Sequence, residues 1–297
     1  MGSRNTKTLN REDLTKIPYE KNVVDFIYRE HEEIINRKVD GTFGASISAG
    51  NLGDTPCEKG ELCFDHNRVV LSEETGSSNY INASYIDGFE HSKAYITTAT
   101  PDSEKKICNF WKMIWEHQTE IIVMLNEPDE NEKGVFYWNL EERSTLYCGK
   151  LNIETLYVQR LYPGHVITKL IMTHEDGGSL IVDHFLYKNW QRVDILPSER
   201  DFLDLVNMIR LYNRFAETPE SVKGNRSPIV VHCSDGQERS MAFCCIDVSI
   251  SQILKTGKVN LSAIVSRLNK ERFNCLHYPN HYCFCYSVFY HYFTFFM

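Results

Sequence analysis

The stretch IVVHCSDGQERS, Ile229 to Ser240, constrains the fold more than any other part of the chain. A run of apolar, mostly β-branched residues ends at Cys233, and a short loop containing Gly236 then leads into a second apolar segment that begins near Arg239. A strand feeding a helix through so short a loop needs a sheet to receive the strand and a helix layer to cover it. The loop also has a chemical reading. Backbone N–H groups at a helix N-terminus, backed by the partial positive charge of the helix, make an anion site, and an arginine fork takes two phosphate oxygens at once. The same field is expected to lower the pKa of Cys233. A thiolate behind a bound phosphate monoester displaces the alcohol and forms a cysteinyl phosphate, with the Ser240 hydroxyl stabilising the departing sulfur. Cys233 and Arg239 are therefore the candidate catalytic residues, and Ser234, Asp235, Gly236, Gln237, Glu238 and Ser240 are expected to line the anion cradle.

The loop resembles the signature of the protein tyrosine phosphatases, HCSAGVGRTG or close to it. The likeness extends to DHNRVVL (Asp65 to Leu71), NYINASYIDGF (Asn79 to Phe89), KAYITTATP (Lys93 to Pro101), FWKMIWE (Phe110 to Glu116), IIVMLNE (Ile121 to Glu127) and DFLDLV (Asp201 to Val206), in the family's order. The resemblance covers roughly residues 22 to 296. It implies an α/β fold in which a central twisted mixed β-sheet is flanked by helices, with the signature loop between a strand and a helix. The implied organisation is a polar segment over residues 1–21 and one phosphatase-like domain over 22–297. A single domain beginning close to the first methionine, with an intact scaffold and altered loops, is similar to the tyrosine-phosphatase-like proteins of bracoviruses, which include active and apparently inactive members.

The departures from that pattern gather where the chemistry would be. The family's mobile loop reads WPDHGVP and supplies an aspartic acid that protonates the leaving phenolate, whereas this chain reads WQRVDIL, Trp190 to Leu196, with Arg192 in the acid's place. A general acid contributes about 10² to 10⁴ in rate, and arginine, with a pKa above about 12, cannot supply that proton. Asp194 would serve only if the loop register slipped; otherwise it is a solvated carboxylate. Within the signature loop, Asp235 and Glu238 stand where the family has alanine and glycine. A carboxylate roughly 5 Å from a phosphate dianion costs several kcal/mol even at an effective dielectric of about 20, and it opposes thiolate formation. The alternative for Glu238 is a side chain turned to solvent or paired with a cation such as Arg192. Where the family presents a tyrosine that packs on the substrate ring, this chain has TPCE, ending at Glu58. Where the family pattern VQTxxQY places two water-orienting glutamines, LHYPNHY offers His277 and His281, either as bases near neutral pH or as packed side chains.

A chain of 297 residues with 42% hydrophobic content is long enough to bury one large core. The net charge of −8, without a basic run, argues against nucleic acid or an anionic membrane surface as partner and in favour of protein. Ten cysteines without an apolar leader or a small cysteine-dense framework read as reduced thiols, placing the chain in the cytoplasm, or a host cell's cytoplasm if viral. No pair of cysteines has zinc-finger spacing, and the chemistry calls for no metal and no cofactor. A monomer is expected. MGSRNTK matches the pattern of a myristoyl acceptor at Gly2, the alternative being a plain polar start. The C-terminal run HYCFCYSVFYHYFTFFM is too short and too polar for a bilayer span and reads as a buried final helix, so no integral membrane segment is expected.

Periodicity predicts a helix from about Asn22 to Asn36, a glycine-bearing loop from Lys38 to Cys63, and an amphipathic helix through Ile107, Phe110, Trp111 and Ile114. HVITKLIMT and SLIVDHFLY predict a hairpin, and Ser198 with Asp201 resembles a cap for a helix through Ile209. Three functional readings remain open from the residues. The chain is a phosphatase-fold protein with crippled turnover that acts by binding phosphotyrosine proteins, or a working tyrosine phosphatase, or a scaffold that no longer recognises phosphate.

Overall fold

The computed structural model describes residues 8–10, 23–51, 62–72, 79–127, 136–161, 164–191, 194–215 and 226–295. Gly2, Glu58 and Arg192, singled out above, lie outside the described residues. In chain order the elements are β1 (Leu9–Asn10), α1 (Val23–Ile35), α2 (Gly44–Asn51), β2 (Arg68–Val70), β3 (Tyr80–Ile86), β4 (Tyr95–Ala99), α3 (Glu104–Glu116) and β5 (Ile121–Met124). They continue with β6 (Thr145–Cys148), β7 (Leu151–Leu161), β8 (His165–His174), β9 (Ser179–Tyr187), α4 (Glu199–Phe215), β10 (Ile229–Cys233), α5 (Arg239–Thr256), β11 (Lys258–Val259), α6 (Leu261–Glu271) and α7 (Pro279–Phe295).

The apolar run that ends at Cys233 is buried on both faces, and this dictates its place. β10 lies between β4 and β5 and is parallel to both, inside a nine-stranded mixed sheet of order β2-β3-β4-β10-β5-β9-β8-β7-β6. β5 is also parallel to β9, while the outer strands pair antiparallel, including the expected β8–β9 hairpin. One apolar layer packs α4, α5, α6 and α7 on the sheet through residues such as Phe202, Ile209, Phe243, Leu268 and Phe289. The other packs α3 on the opposite face through Ile107, Phe110, Trp111 and Ile114, the stripe read from the sequence. Each such side chain stabilises the fold by about 1.5–3 kcal/mol.

α1 matches its predicted span, but the expected loop between Lys38 and Cys63 contains α2. Its local sequence, GASISAGN, lacks a helical apolar stripe, and its N-terminus is capped from a distance. The Asp65 carboxylate accepts from the amides of Gly44 (2.8 Å) and Ala45 (2.9 Å) and from the Thr42 hydroxyl (2.6 Å). The α4 start follows the sequence reading, since the Asp201 amide donates to Ser198 Oγ at 3.4 Å. Among the described residues no helix is long and apolar enough to cross a membrane.

Candidate active site

Cys233 sits at the C-terminal end of the central parallel strand, and α5 begins at Arg239. Parallel packing on both sides holds the strand end, and Thr100 fixes its last carbonyl: both the amide (2.8 Å) and the hydroxyl (3.1 Å) of Thr100 lie on Cys233 O. Behind the cysteine, the His232 ring is hydrogen-bonded through Nδ1 to Thr100 Oγ1 (2.9 Å) and through Nε2 to Tyr137 Oη (2.6 Å), and Tyr137 also meets His184. Burial lowers the pKa of both histidines, that of His184 to about 3, so this network is neutral around Cys233.

The direction of the loop amides follows from what holds the carbonyls. Buried Arg272 donates from Nη2 to Asp235 O and from Nε to Gly236 O, both at 3.2 Å, and the Leu276 amide donates to Gln237 O at 3.1 Å. In a trans peptide the C=O and the next N–H point opposite ways. Three carbonyls drawn outward therefore turn the amides of Gly236, Gln237 and Glu238 toward the concave side of the loop. Gly236 makes the bend at φ +69°, where a Cβ would lie 2.4 Å from the Thr98 carbonyl carbon, so both conformation and space demand glycine. Arg272 also reaches Cys63 Sγ (2.7 Å) and Ser84 Oγ (3.3 Å), and the Cys63 thiol lies 3.1 Å from Asn82 Oδ1. Neither Arg272 nor Cys63 carries a sequence signal for this role, since each lies tens of residues away from the loop in the chain.

The side chains of the loop divide in a way the sequence reading did not foresee. Glu238 does not face the cradle and is not turned to solvent; the alternative of a pairing with Arg192 lies outside the described residues. Glu238 is buried, its Oε2 lies 2.6 Å from His281 Nδ1, and its Oε1 accepts from the amides of His277 (2.8 Å) and Tyr278 (3.4 Å). His281 is fully buried and packs edge-on against the Trp190 ring at 5.4 Å, which agrees with the packed alternative, while His277 is exposed. Asp235 is the carboxylate that enters the cradle. Its Oδ1 lies 3.1 Å from Cys233 Sγ and accepts from the amides of Gln237 (2.8 Å) and Glu238 (3.3 Å).

The thiol's pKa moves in the direction opposite to the one expected from the sequence. Burial first and the Asp235 charge second push the Cys233 pKa up to about 11, outweighing Arg239 and the hydrogen bond from Ser240. The anticipated lowering by the arginine and the helix is outweighed chiefly by burial, and the Asp235 carboxylate adds to the same direction. Ser240 Oγ stands 3.5 Å from the sulfur. Arg239 is buried, and its Nη1 donates to Leu125 O (3.0 Å) and Trp190 O (2.9 Å), so the guanidinium ties the loop to the end of β5 and to the segment that leads into Arg192. Ser234 is exposed and Gln237 buried. Asp194 is exposed.

Residues 58–291 match the model of the family described as protein-tyrosine phosphatase. The chain is 32% identical over 290 residues to tyrosine phosphatase H2 of Microplitis demolitor bracovirus, covering 95% of this chain and 88% of that protein. It is 32% identical over 296 residues to tyrosine phosphatase-like protein J1 of the same virus, covering 96% of each. Human tyrosine-protein phosphatase non-receptor type 9 is 32% identical over 275 residues, 88% of this chain and 45% of the human protein. With a cysteine at the end of a central parallel strand, amides turned inward before a helix, and a match that spans most of its length, this chain belongs to the protein tyrosine phosphatase family.

Proposed function

We propose that this chain is a phosphatase-fold protein with crippled turnover that acts by binding phosphotyrosine-containing proteins. The observation that carries the reading is the Cys233 thiol, buried and 3.1 Å from the Asp235 carboxylate, with its pKa pushed up to about 11. Phosphoryl transfer to sulfur needs the thiolate, and a group with that pKa is ionised in roughly one molecule in ten thousand at pH 7. Arg192 in the acid's position would leave the departing phenolate without a proton donor. The inward amides of the loop and the buried Arg239 are the parts that bind, and they remain.

Binding of a phosphotyrosine peptide to the purified full chain, with phosphate release followed in the same sample, tests the reading. Capture of the phosphorylated peptide over its unphosphorylated form, without release, is the expected result. Release at about 1 s⁻¹ or faster, a working enzyme's rate, would overturn it in favour of catalysis, and absence of binding would overturn it in favour of a phosphate-blind scaffold.

A further inference from the structure

We infer that Asp235 is a tethered anion that occupies the phosphate cradle from within, so that a phosphotyrosine enters only by displacing this carboxylate. The inference rests on the phosphotyrosine-binding reading above and adds a regulatory contact to that same site. Its basis is the position of a single oxygen. Asp235 Oδ1 is within hydrogen-bonding reach of the Gln237 and Glu238 amides and of the Cys233 sulfur. A carboxylate that accepts from amides two and three residues on is an ordinary turn when it lies on the outside of a bend. Here the third partner is the thiol at the cradle floor, which places the oxygen on the concave side. Two inward amide donors and the sulfur surround the position that a phosphate oxygen would take.

The backbone cannot relieve this occupancy by shifting. Arg272, itself buried, holds the Asp235 and Gly236 carbonyls, the Leu276 amide holds that of Gln237, and Gly236 is packed on Thr98. Glu238 is secured to His281 and to the His277 amide. The part of the loop free to move is the half-buried Asp235 side chain, which leaves the cradle by rotation about its own bonds. The cradle is therefore preformed and internally capped. A doubly charged phosphate monoester that also engages Arg239 has more to gain from the donors than the carboxylate it replaces. A singly charged group, such as a glutamate side chain of a partner, offers no such advantage over Asp235, so the cap also discriminates against acidic peptides without phosphate.

Asp235→Ala and Asp235→Asn in the full chain test the cap, with a phosphotyrosine peptide titrated by calorimetry. The alanine variant is expected to bind at least tenfold tighter than the parent, and the asparagine variant, which keeps shape without charge, to lie between. Alkylation of Cys233 by iodoacetate, read on the Cys233 peptide by mass spectrometry, provides a second readout that needs no peptide. It should accelerate at least tenfold in the alanine variant as the anionic reagent enters the vacated cradle. Affinity within twofold of the parent together with unchanged alkylation would overturn the inference while leaving the binding reading in place. Failure of the parent and both variants to bind would overturn both, and rapid phosphate release by the parent would overturn the binding reading alone. Circular dichroism of each variant ensures that a misfolded protein is not counted in either direction.

Discussion

Glu238→Ala removes one half of a buried pair whose side chains are 0% and 3% exposed, and the cost can be worked from its contacts. The change removes the acceptor opposite His281 Nδ1 and the acceptor of the His277 and Tyr278 amides. Each buried donor left without an acceptor costs about 1–3 kcal/mol, and His281 Nδ1 is the most deeply buried of the partners, the two amides being part-buried. About 4 kcal/mol is expected, and Glu238→Gln, which keeps an acceptor at the same place, should lose about 1–2 kcal/mol. The assay is equilibrium urea denaturation followed by tryptophan fluorescence, since buried Trp190 packs on His281 and reports on this region. A double-mutant cycle completes it. Glu238→Gly with His281→Gln restores the residue types of the family pattern, and the double variant should be more stable than the sum of the single losses predicts by about 2 kcal/mol. A coupling energy below about 0.5 kcal/mol would refute the pairing.

The buried histidines make stability fall on acidification. A group whose folded pKa is depressed contributes stability above its unfolded pKa and loses it as pH falls toward the folded value. For His184, lowered from 6.5 to about 3, the loss between pH 7 and pH 5 is about 2 kcal/mol, and His232 acts with the same sign. Urea midpoints that stay constant over that interval would contradict the neutral network behind Cys233. In the unmodified chain, alkylation of Cys233 by neutral iodoacetamide should rise with pH toward a midpoint near about 11, and a midpoint below about 8 would show that the thiolate is present at neutral pH. Cys233→Ser should abolish any residual phosphate release while phosphotyrosine binding persists, and persistent release would mean that another group is the nucleophile. If turnover occurs, an activated aryl phosphate that needs no leaving-group proton should be favoured over a phosphotyrosine peptide by about 10² or more, and equal efficiency would sink the missing-acid argument.

The scaffold was legible because its signals are local. The apolar run of β10, the alternation in β8 and β9 and the helical stripes of α1 and α3 each lie within a window of the chain that forms one element. α2 was not legible, since its cap comes from Asp65 and its own residues carry no stripe. The site was legible by residue type and spacing, which placed Cys233, Arg239 and Ser240 around one loop. The directions of Asp235 and Glu238 were not, because side-chain direction depends on partners far along the chain, Arg272 and Leu276 behind the loop and His281 beyond it. The sign of the thiol shift was misread for the same reason: the arginine and the helix can be counted in sequence, whereas full burial and the approach of one carboxylate oxygen cannot.

Two of the departures from the family pattern also explain each other. An acidic residue in place of glycine in the signature loop would bring an unpaired charge into a buried place, and a histidine in place of the second glutamine would bring a ring needing a partner. Together they make one short contact, Glu238 to His281, that carries the carboxylate away from the cradle and links the loop to the start of α7 beside Trp190. The two substitutions thus meet in a single contact. Asp235 has no such compensation. Its oxygen is held by the amides and thiol that an incoming phosphate would use. On the proposed reading, one side chain is an internal competitor for the donors that a phosphate would use.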